Sequence, residues 1–126
     1  MEKVRNFRDL IIWQKGIELV TDIYQLIVQF PKEELYGLVS QIKRSAISIP
    51  SNIAEGFNRY HNKEYTHFLH ITLGSCAELE TQIEISYKLR LINKSIRDDV
   101  INNIQHIEAM TQNLIKKLKQ AQRMGD

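Results

Sequence analysis

Residues 41–56 read QIKRSAISIPSNIAEG, and this stretch decides the fold. Apolar side chains on both sides of its proline keep one helical phase, at steps of four, three, four and four residues: Ile42, Ala46, Ile49, Ile53 and Phe57. A proline inside a helix removes one backbone hydrogen bond and crowds the preceding turn, which costs about 3 kcal/mol. Because the phase continues despite this cost, the stretch predicts a kinked, well-packed helix rather than a loop.

The composition is that of one soluble, helical domain. The 126 residues are 43% hydrophobic and 25% charged, and only 5 glycines and 2 prolines are available for turns. A single cysteine excludes an internal disulfide framework. No stretch approaches the roughly 18 apolar residues of a membrane span, and the amino terminus has no signal-peptide pattern. We therefore predict a single domain over residues 1–126, located in the cytoplasm.

Periodicity and capping residues predict four helices along the chain. The first helix covers 9–29 with Asp9 as N-cap, and the second covers 33–59 with Glu33 and Glu34 in its first turn. The third helix covers 62–90 with Asn62 as N-cap. The fourth begins with a capping box of Ser95 and Asp98. Their similar lengths and short connections predict an all-α fold. The expected architecture is an antiparallel up-down-up-down four-helix bundle with a proline-kinked second helix.

The first predicted helix is apolar over more than one face. One stripe at helical spacing is expected to face the core: Leu10, Trp13, Ile17, Val20, Tyr24 and Ile27. Further apolar residues widen this arc: Ile11, Ile12, Leu19, Ile23, Leu26 and Val28. No helix is central in a bundle of four, so a second apolar face predicts burial against another subunit.

Basic residues are the candidates for binding nucleic acid. The net charge is only +2, but residues 41–63 carry an excess of three positive charges between two acidic blocks. The candidate residues are Lys43, Arg44, Arg59, Lys63, Lys116 and Lys117. Cations near the end of the last helix are also explained by the helix dipole. Tyr60 and Tyr65 are candidates for stacking on bases, although tyrosines at helix ends commonly cover a core.

A polar line follows the second helix at three- and four-residue steps: Gln41, Arg44, Ser48, Asn52, Glu55 and Arg59. It is either a recognition stripe or a set of structural pairs. The structural interpretation is favoured, because half-buried polar groups must find partners. It predicts that Arg44 and Glu55 pair across helices, and that Asn52 or Ser48 satisfies the carbonyl freed by Pro50.

Catalytic and metal-binding patterns are incomplete. Glu64, His67 and His70 resemble half of a di-iron site, which needs a Glu-x-x-His motif on two helices and two further carboxylates. Cys76 is in phase with the core and is expected to be a buried small side chain. No glycine-rich phosphate loop is present in the sequence. The sequence therefore predicts no catalytic residues, no metal site and no cofactor.

Five sequence segments together resemble a known family. They are FxDLxxWQK over 7–15, FPxxExYGL over 30–38, QxxRxAxSIPxNIAEG over 41–56, FL at 68–69 and GSxxELE over 74–80. The chain resembles the bacterial four-helix bundles encoded in intervening sequences of 23S ribosomal RNA genes, the "S23 ribosomal protein" family. This family is similar to the accessory protein of diversity-generating retroelements. The resemblance implies a ring-like homopentamer and nucleic-acid binding through basic surface, without catalytic residues or membership of the ribosome.

The sequence is compatible with two functions. The first is a small homo-oligomeric accessory protein that captures RNA or an RNA–DNA hybrid electrostatically, without chemistry of its own. The alternative is an oligomeric scaffold that docks a partner protein on its outer helices. No membrane partner is expected.

Overall fold

The computed structural model describes residues 4–124. Four α-helices make up this part of the chain: α1 (Ile11–Ile27), α2 (Leu38–Phe57), α3 (Asn62–Lys88) and α4 (Lys94–Arg123). Short 3-10 turns at Phe7–Asp9 and Lys32–Glu34 precede α1 and α2. The described residues contain no strand, so the all-helical prediction is confirmed. None of their helices is long and apolar enough to cross a membrane.

The four helices pack in a closed order around an isoleucine-rich core. Contacts join α1 to α2, α2 to α3, α3 to α4 and α4 back to α1. The largest fully buried side chains come from all four helices, and include Ile23, Ile42, Ile49, Ile53, Leu69, Leu79, Ile83, Ile104 and Ile107. Burial of each such side chain stabilises the fold by about 1.5–3 kcal/mol relative to exposure. The stripe that was predicted for residues 42–53 is therefore confirmed as core.

Pro50 lies inside α2, as the sequence predicts, and it is buried. It packs against Gly16 of α1, where an added Cβ would come within 3.2 Å of the proline Cβ. Tyr24 of α1 contacts Lys43, seven residues before Pro50 on α2. The bend at Pro50 and the up-down-up-down course of the four helices stay predictions.

The core-facing stripe of α1 differs from the predicted one. The buried residues of α1 are Ile12, Gly16, Leu19, Ile23 and Ile27. Ile17 and Tyr24 of the predicted stripe are exposed, and Trp13 and Val20 are half-buried. Both stripes are apolar at the same spacing, so periodicity alone does not show which of them is buried. Contact with α2 and α4 determines which stripe faces the core. Of the predicted stripe, only Ile27 is buried in the core, whereas Ile17 and Tyr24 lie on the outer face of α1.

Several helix starts also differ from prediction, because capping depends on backbone geometry as well as residue type. Asp9 does not cap α1. Glu33 and Glu34 lie in a separate 3-10 turn, and α2 begins four residues later, at Leu38. Ser95 does not cap α4, because the extended Asn93 places its Oδ1 at 2.8 Å from the Ile96 N–H, which donates to it.

Candidate nucleic-acid interface

One end of the bundle brings together two separate parts of the chain. Gln122, near the end of α4, lines the same concave space as residues 60–64, which join α2 to α3 and open α3. This space has a volume of about 710 Å³. We call this region, residues 55–64 and 116–123, the basic end.

The basic end carries more positive than negative charge. Its cations are Arg59, Lys63, Lys116, Lys117, Lys119 and Arg123, against the carboxylates Glu55 and Glu64. Of these six cations, only Arg59 has an ion-pair partner among the described residues, which is Glu55 one turn earlier. The Arg59 guanidinium also lies over the ring of Phe68, 4.7 Å from its centroid. The remaining cations stay available to an anionic ligand.

The six predicted binding residues do not form one patch. Arg59 and Lys63 lie at the basic end, and Lys116 and Lys117 precede Gln122 by less than two helical turns, about 9 Å along the axis. Lys43 and Arg44 lie about 20 Å away along α2. Lys43 is half-buried, with its Nζ at 5.2 Å from the ring centroid of Tyr24, whereas Arg44 is exposed.

The two candidate tyrosines have different environments. Tyr65 is buried, its ring lies edge-to-face with Phe57 at 6.0 Å, and burial raises its pKa to about 12. Tyr65 is therefore a core residue. Tyr60 is 94% exposed and lines the concave space of the basic end. Only Tyr60 remains a candidate for stacking.

The centre of the polar line on α2 is structural. Ser48 shares a hydrogen bond of 2.7 Å with Ser75 of α3. The Asn52 amide donates to the Ser48 carbonyl and hydroxyl oxygens, so it does not serve the Ala46 carbonyl that Pro50 frees. The predicted pairing of Arg44 and Glu55 with other helices is wrong, because Glu55 pairs with Arg59 just beyond the end of α2 and Arg44 is exposed.

A pair of carboxyl groups between α3 and α4 was not predicted. Glu80 of α3 and Glu108 of α4 are both half-buried, and Gln105 donates to Glu80 Oε1 at 3.4 Å. Burial, followed by a hydrogen bond to Glu80 and the charge of Glu80, raises the pKa of Glu108 to about 7. The signal in the sequence is weak, since each glutamate only flanks the core stripe of its own helix.

Arg8 was also missed by sequence reasoning. Its guanidinium lies 5.7 Å from the ring centroid of Phe7 and 5.5 Å from that of Trp13. These residues line a groove between α1 and α2 that reaches Ala54, close to the basic end. The spacing of an arginine between two aromatic residues was the available signal.

The candidate nucleophile Cys76 and the candidate metal ligands Glu64, His67 and His70 lie in different environments. Cys76 is fully buried, and burial together with the charges of Glu108 and Glu80 raises its pKa to about 12, so it is a neutral thiol. Glu64, His67 and His70 are exposed. Within residues 4–124, no three His, Cys, Asp or Glu side chains are grouped so as to hold a metal ion.

Comparisons with known proteins agree with this fold. The profile of the family "23S rRNA-intervening sequence protein" matches residues 8–113. A solved structure from Bacteroides thetaiotaomicron VPI-5482, described as a protein with unknown function from the S23 ribosomal protein family, is similar with a TM-score of 0.76 and 23% sequence identity. The similarity covers 84% of this chain and 99% of that one, and at this identity it shows the fold alone. No curated protein matches the sequence.

Proposed function

This chain belongs to the 23S rRNA-intervening sequence protein family, and we propose that it is a small homo-oligomeric, nucleic-acid-binding accessory protein without catalytic activity. The ligand is RNA or an RNA–DNA hybrid, and the site of action is the cytoplasm. The observation that carries this proposal is the basic end, where five cations have no ion-pair partner among the described residues. A phosphate backbone is the ligand that such a surface fits.

The proposed binding is electrostatic. Lysine and arginine side chains that neutralise phosphates release counterions, so affinity falls steeply as salt rises. The amino terminus of α3 and the carboxyl terminus of α4 meet here, and the lysines near the end of α4 outweigh the negative end of its dipole. The opposed positions of α3 and α4 at this end support the antiparallel bundle.

The experiment measures binding of a structured RNA by fluorescence anisotropy between about 50 and about 200 mM salt. We expect the affinity of the unchanged protein to fall by about 100-fold or more over this range. A triple variant, Lys63→Gln, Lys116→Gln and Lys117→Gln, lowers the slope of log affinity against log salt by about 0.9 for each phosphate contact that is lost.

The control variant changes three exposed lysines at the other end of the bundle: Lys32→Gln, Lys88→Gln and Lys94→Gln. It removes the same charge, so an equal loss of affinity would show that only net charge matters. Circular dichroism checks that both variants keep their helices. If the unchanged protein does not bind RNA at about 50 mM salt, the proposal is wrong.

The homo-oligomer is proposed to form through the outer face of α1 and α2. Trp13, Ile17 and Val20 of α1 and Ile47 of α2 line an open groove of about 340 Å³. Ile17 is 40% exposed and Ile47 44% exposed, although isoleucine is among the residues most often buried. A pentamer is expected from the resemblance. An interface between copies would cover this groove and lower the exposed apolar area.

Light scattering after gel filtration tests this interface. The double variant Ile17→Glu and Ile47→Glu should be smaller than the unchanged oligomer, because two buried charges without partners oppose assembly. Ile85→Glu is the matched control, since Ile85 of α3 is 43% exposed and lies outside the groove. If the double variant and the control assemble alike, this groove is not the interface.

A second function, an oligomeric protein-interaction scaffold, is supported by a different groove. Tyr24, Val28, Leu35, Val39 and Lys43 line a space of about 260 Å³ near the α1–α2 connection, and Val28 is strongly exposed. An exposed apolar groove is typical of a site for a partner protein. A protein partner that co-purifies in place of nucleic acid, with binding lost in Val28→Glu, would favour this function.

A further inference from the structure

We propose that Tyr60 is a stacking platform for an unpaired base of the bound nucleic acid. This inference rests on the proposed function and specifies the ligand further, as a single-stranded segment or an open loop rather than a continuous duplex. Tyr60 is exposed, borders a concave space and lies at the basic end.

The exposure of Tyr60 is not explained by packing. α2 ends at Phe57, where the Asn58 and Arg59 amides donate to the Ala54 and Gly56 carbonyls, and the chain then crosses to α3. Tyr65 and Phe57 cover the core at this point, edge to face. Tyr60 contributes nothing to that cover, because 94% of it remains exposed.

The ring of Tyr60 borders a ligand-sized space. Its contact is with the ring of His61, at 5.7 Å between centroids and 65° between planes. The concave space beside it has a volume of about 710 Å³, and its other lining residues are Asn62, Lys63, Glu64 and Gln122. Ligand pockets commonly measure about 300–1,000 Å³. A planar group can therefore approach the ring without displacing a core side chain.

The charges around this space fit a nucleotide. Lys63 lines it directly, and Lys116, Lys117, Lys119 and Arg123 lie on the adjoining turns of α4. Glu64 is the carboxylate that lines the same space, and the basic end as a whole carries six cations against two carboxylates. Proteins that bind single strands combine such a basic surface with aromatic rings on which bases stack. In a duplex the bases are already stacked on each other, so Tyr60 has no open base face to contact.

A second tyrosine provides the matched control. Tyr36 is 92% exposed, nearly the same as Tyr60, but it lies in the α1–α2 connection, away from the basic end. Replacing either residue by alanine removes one exposed phenol ring and no charge. Only the loss of Tyr60 should change binding.

The test compares two labelled ligands, a single-stranded RNA of about a dozen nucleotides and an RNA duplex of the same length. We expect Tyr60→Ala to weaken binding of the single strand by about tenfold, and to leave binding of the duplex unchanged. Tyr36→Ala should leave both affinities unchanged. Tyr60→Trp should retain single-strand binding, whereas Tyr60→Leu, which is apolar without an aromatic face, should lose it as the alanine variant does.

The outcomes separate the two proposals. If the unchanged protein binds RNA and Tyr60→Ala binds the single strand equally well, stacking is wrong while electrostatic binding stands. If Tyr60→Ala weakens single strand and duplex alike, or Tyr60→Leu binds normally, base stacking is also wrong. If neither RNA binds the unchanged protein, both proposals fail.

Discussion

The two ends of the bundle differ in how their charges are used. At the end opposite to the basic end, residues 28–37 and 84–99 contain five cations and five carboxylates, and several of them are paired. We call it the balanced end. Arg97 of α4 joins Glu84 of α3 at 2.8 Å and Asp98 at 2.8 Å, and Lys94 lies 3.2 Å from Asp98.

The basic end also contains cations and carboxylates, but its carboxylates are too few to neutralise its cations. There, Arg59 alone has an ion-pair partner among the described residues. The modest net charge of +2 therefore conceals a local excess of positive charge at the basic end, where six cations stand against two carboxylates. Function is therefore expected where the charges are unpaired.

The largest expected effect on stability is at the basic end, where α2 and α3 approach closely. A Cβ at Gly56 would come within 2.8 Å of the Phe68 Cβ and 3.2 Å of the Tyr65 carbonyl oxygen. We expect Gly56→Ala to lower the free energy of unfolding by about 2 kcal/mol, because neither contact belongs to a flexible side-chain tip. Chemical denaturation measures this change.

Gly74→Ala is the control for that prediction. Gly74 is exposed inside α3, and nothing would lie within 4 Å of its added Cβ. Alanine is the better helix former, so this variant should gain about 1 kcal/mol. If the two substitutions change the free energy of unfolding equally, the close approach of α2 and α3 at Gly56 does not restrict side-chain size.

The next effect concerns the attachment of α4, which supplies most of the cations of the basic end. The pKa of Glu108 is raised to about 7 from its ordinary value of 4.5, so the folded protein holds this proton more tightly than the unfolded chain. Its contribution to stability is present below about pH 4.5 and is lost as the pH rises towards 7.

Glu108→Gln, which cannot ionise, should therefore exceed the unchanged protein in stability by about 1–2 kcal/mol at alkaline pH and match it in acid. Thermal unfolding across this pH range measures the difference. Glu78→Gln, on the exposed side of α3, is the control and should leave the pH profile unchanged. If the stability of Glu108→Gln differs from that of the unchanged protein by the same amount at every pH, the raised pKa of Glu108 is wrong.

A smaller effect is expected at the balanced end, where α3 terminates. Arg90 has a positive φ of 64°, and the Leu91 and Arg90 amides donate to the Ser86 and Tyr87 carbonyls, as in a Schellman motif. Glycine adopts this conformation without the steric cost, so Arg90→Gly should stabilise the fold by about 1 kcal/mol. Arg90→Ala removes the same charge but keeps the strain, and should give no gain.

The smallest effect is expected from the ion pair that distinguishes the balanced end. Glu84→Gln removes the carboxylate that Arg97 contacts across helices, and both side chains are only partly buried. We expect a loss of about 0.5 kcal/mol that disappears in about 1 M salt. A double-mutant cycle with Arg97→Gln isolates the pair. A coupling energy that is independent of salt would mean that packing, rather than charge, joins the helices here.

Local patterns predicted the elements better than the positions of their ends. The stripe through Ile42, Ile49 and Ile53 is core because a spacing of three and four residues puts side chains on one side of any helix. The N-cap of α4 was misassigned because both Ser95 and Asn93 are suitable residue types. Only the extended backbone at Asn93 aims its side chain at the Ile96 amide.

The sequence by itself determined the family, the four helices and the buried side of α2, because helix periodicity and local motifs involve residues close together in the chain. The tertiary structure decided which stripe of α1 faces the core, and it placed Gln122 of α4 beside the space that Tyr60 lines. It also brought Glu80 near Glu108 and Gly56 against Phe68. These relations join residues that are far apart in sequence, so only the packing of one helix against another specifies them.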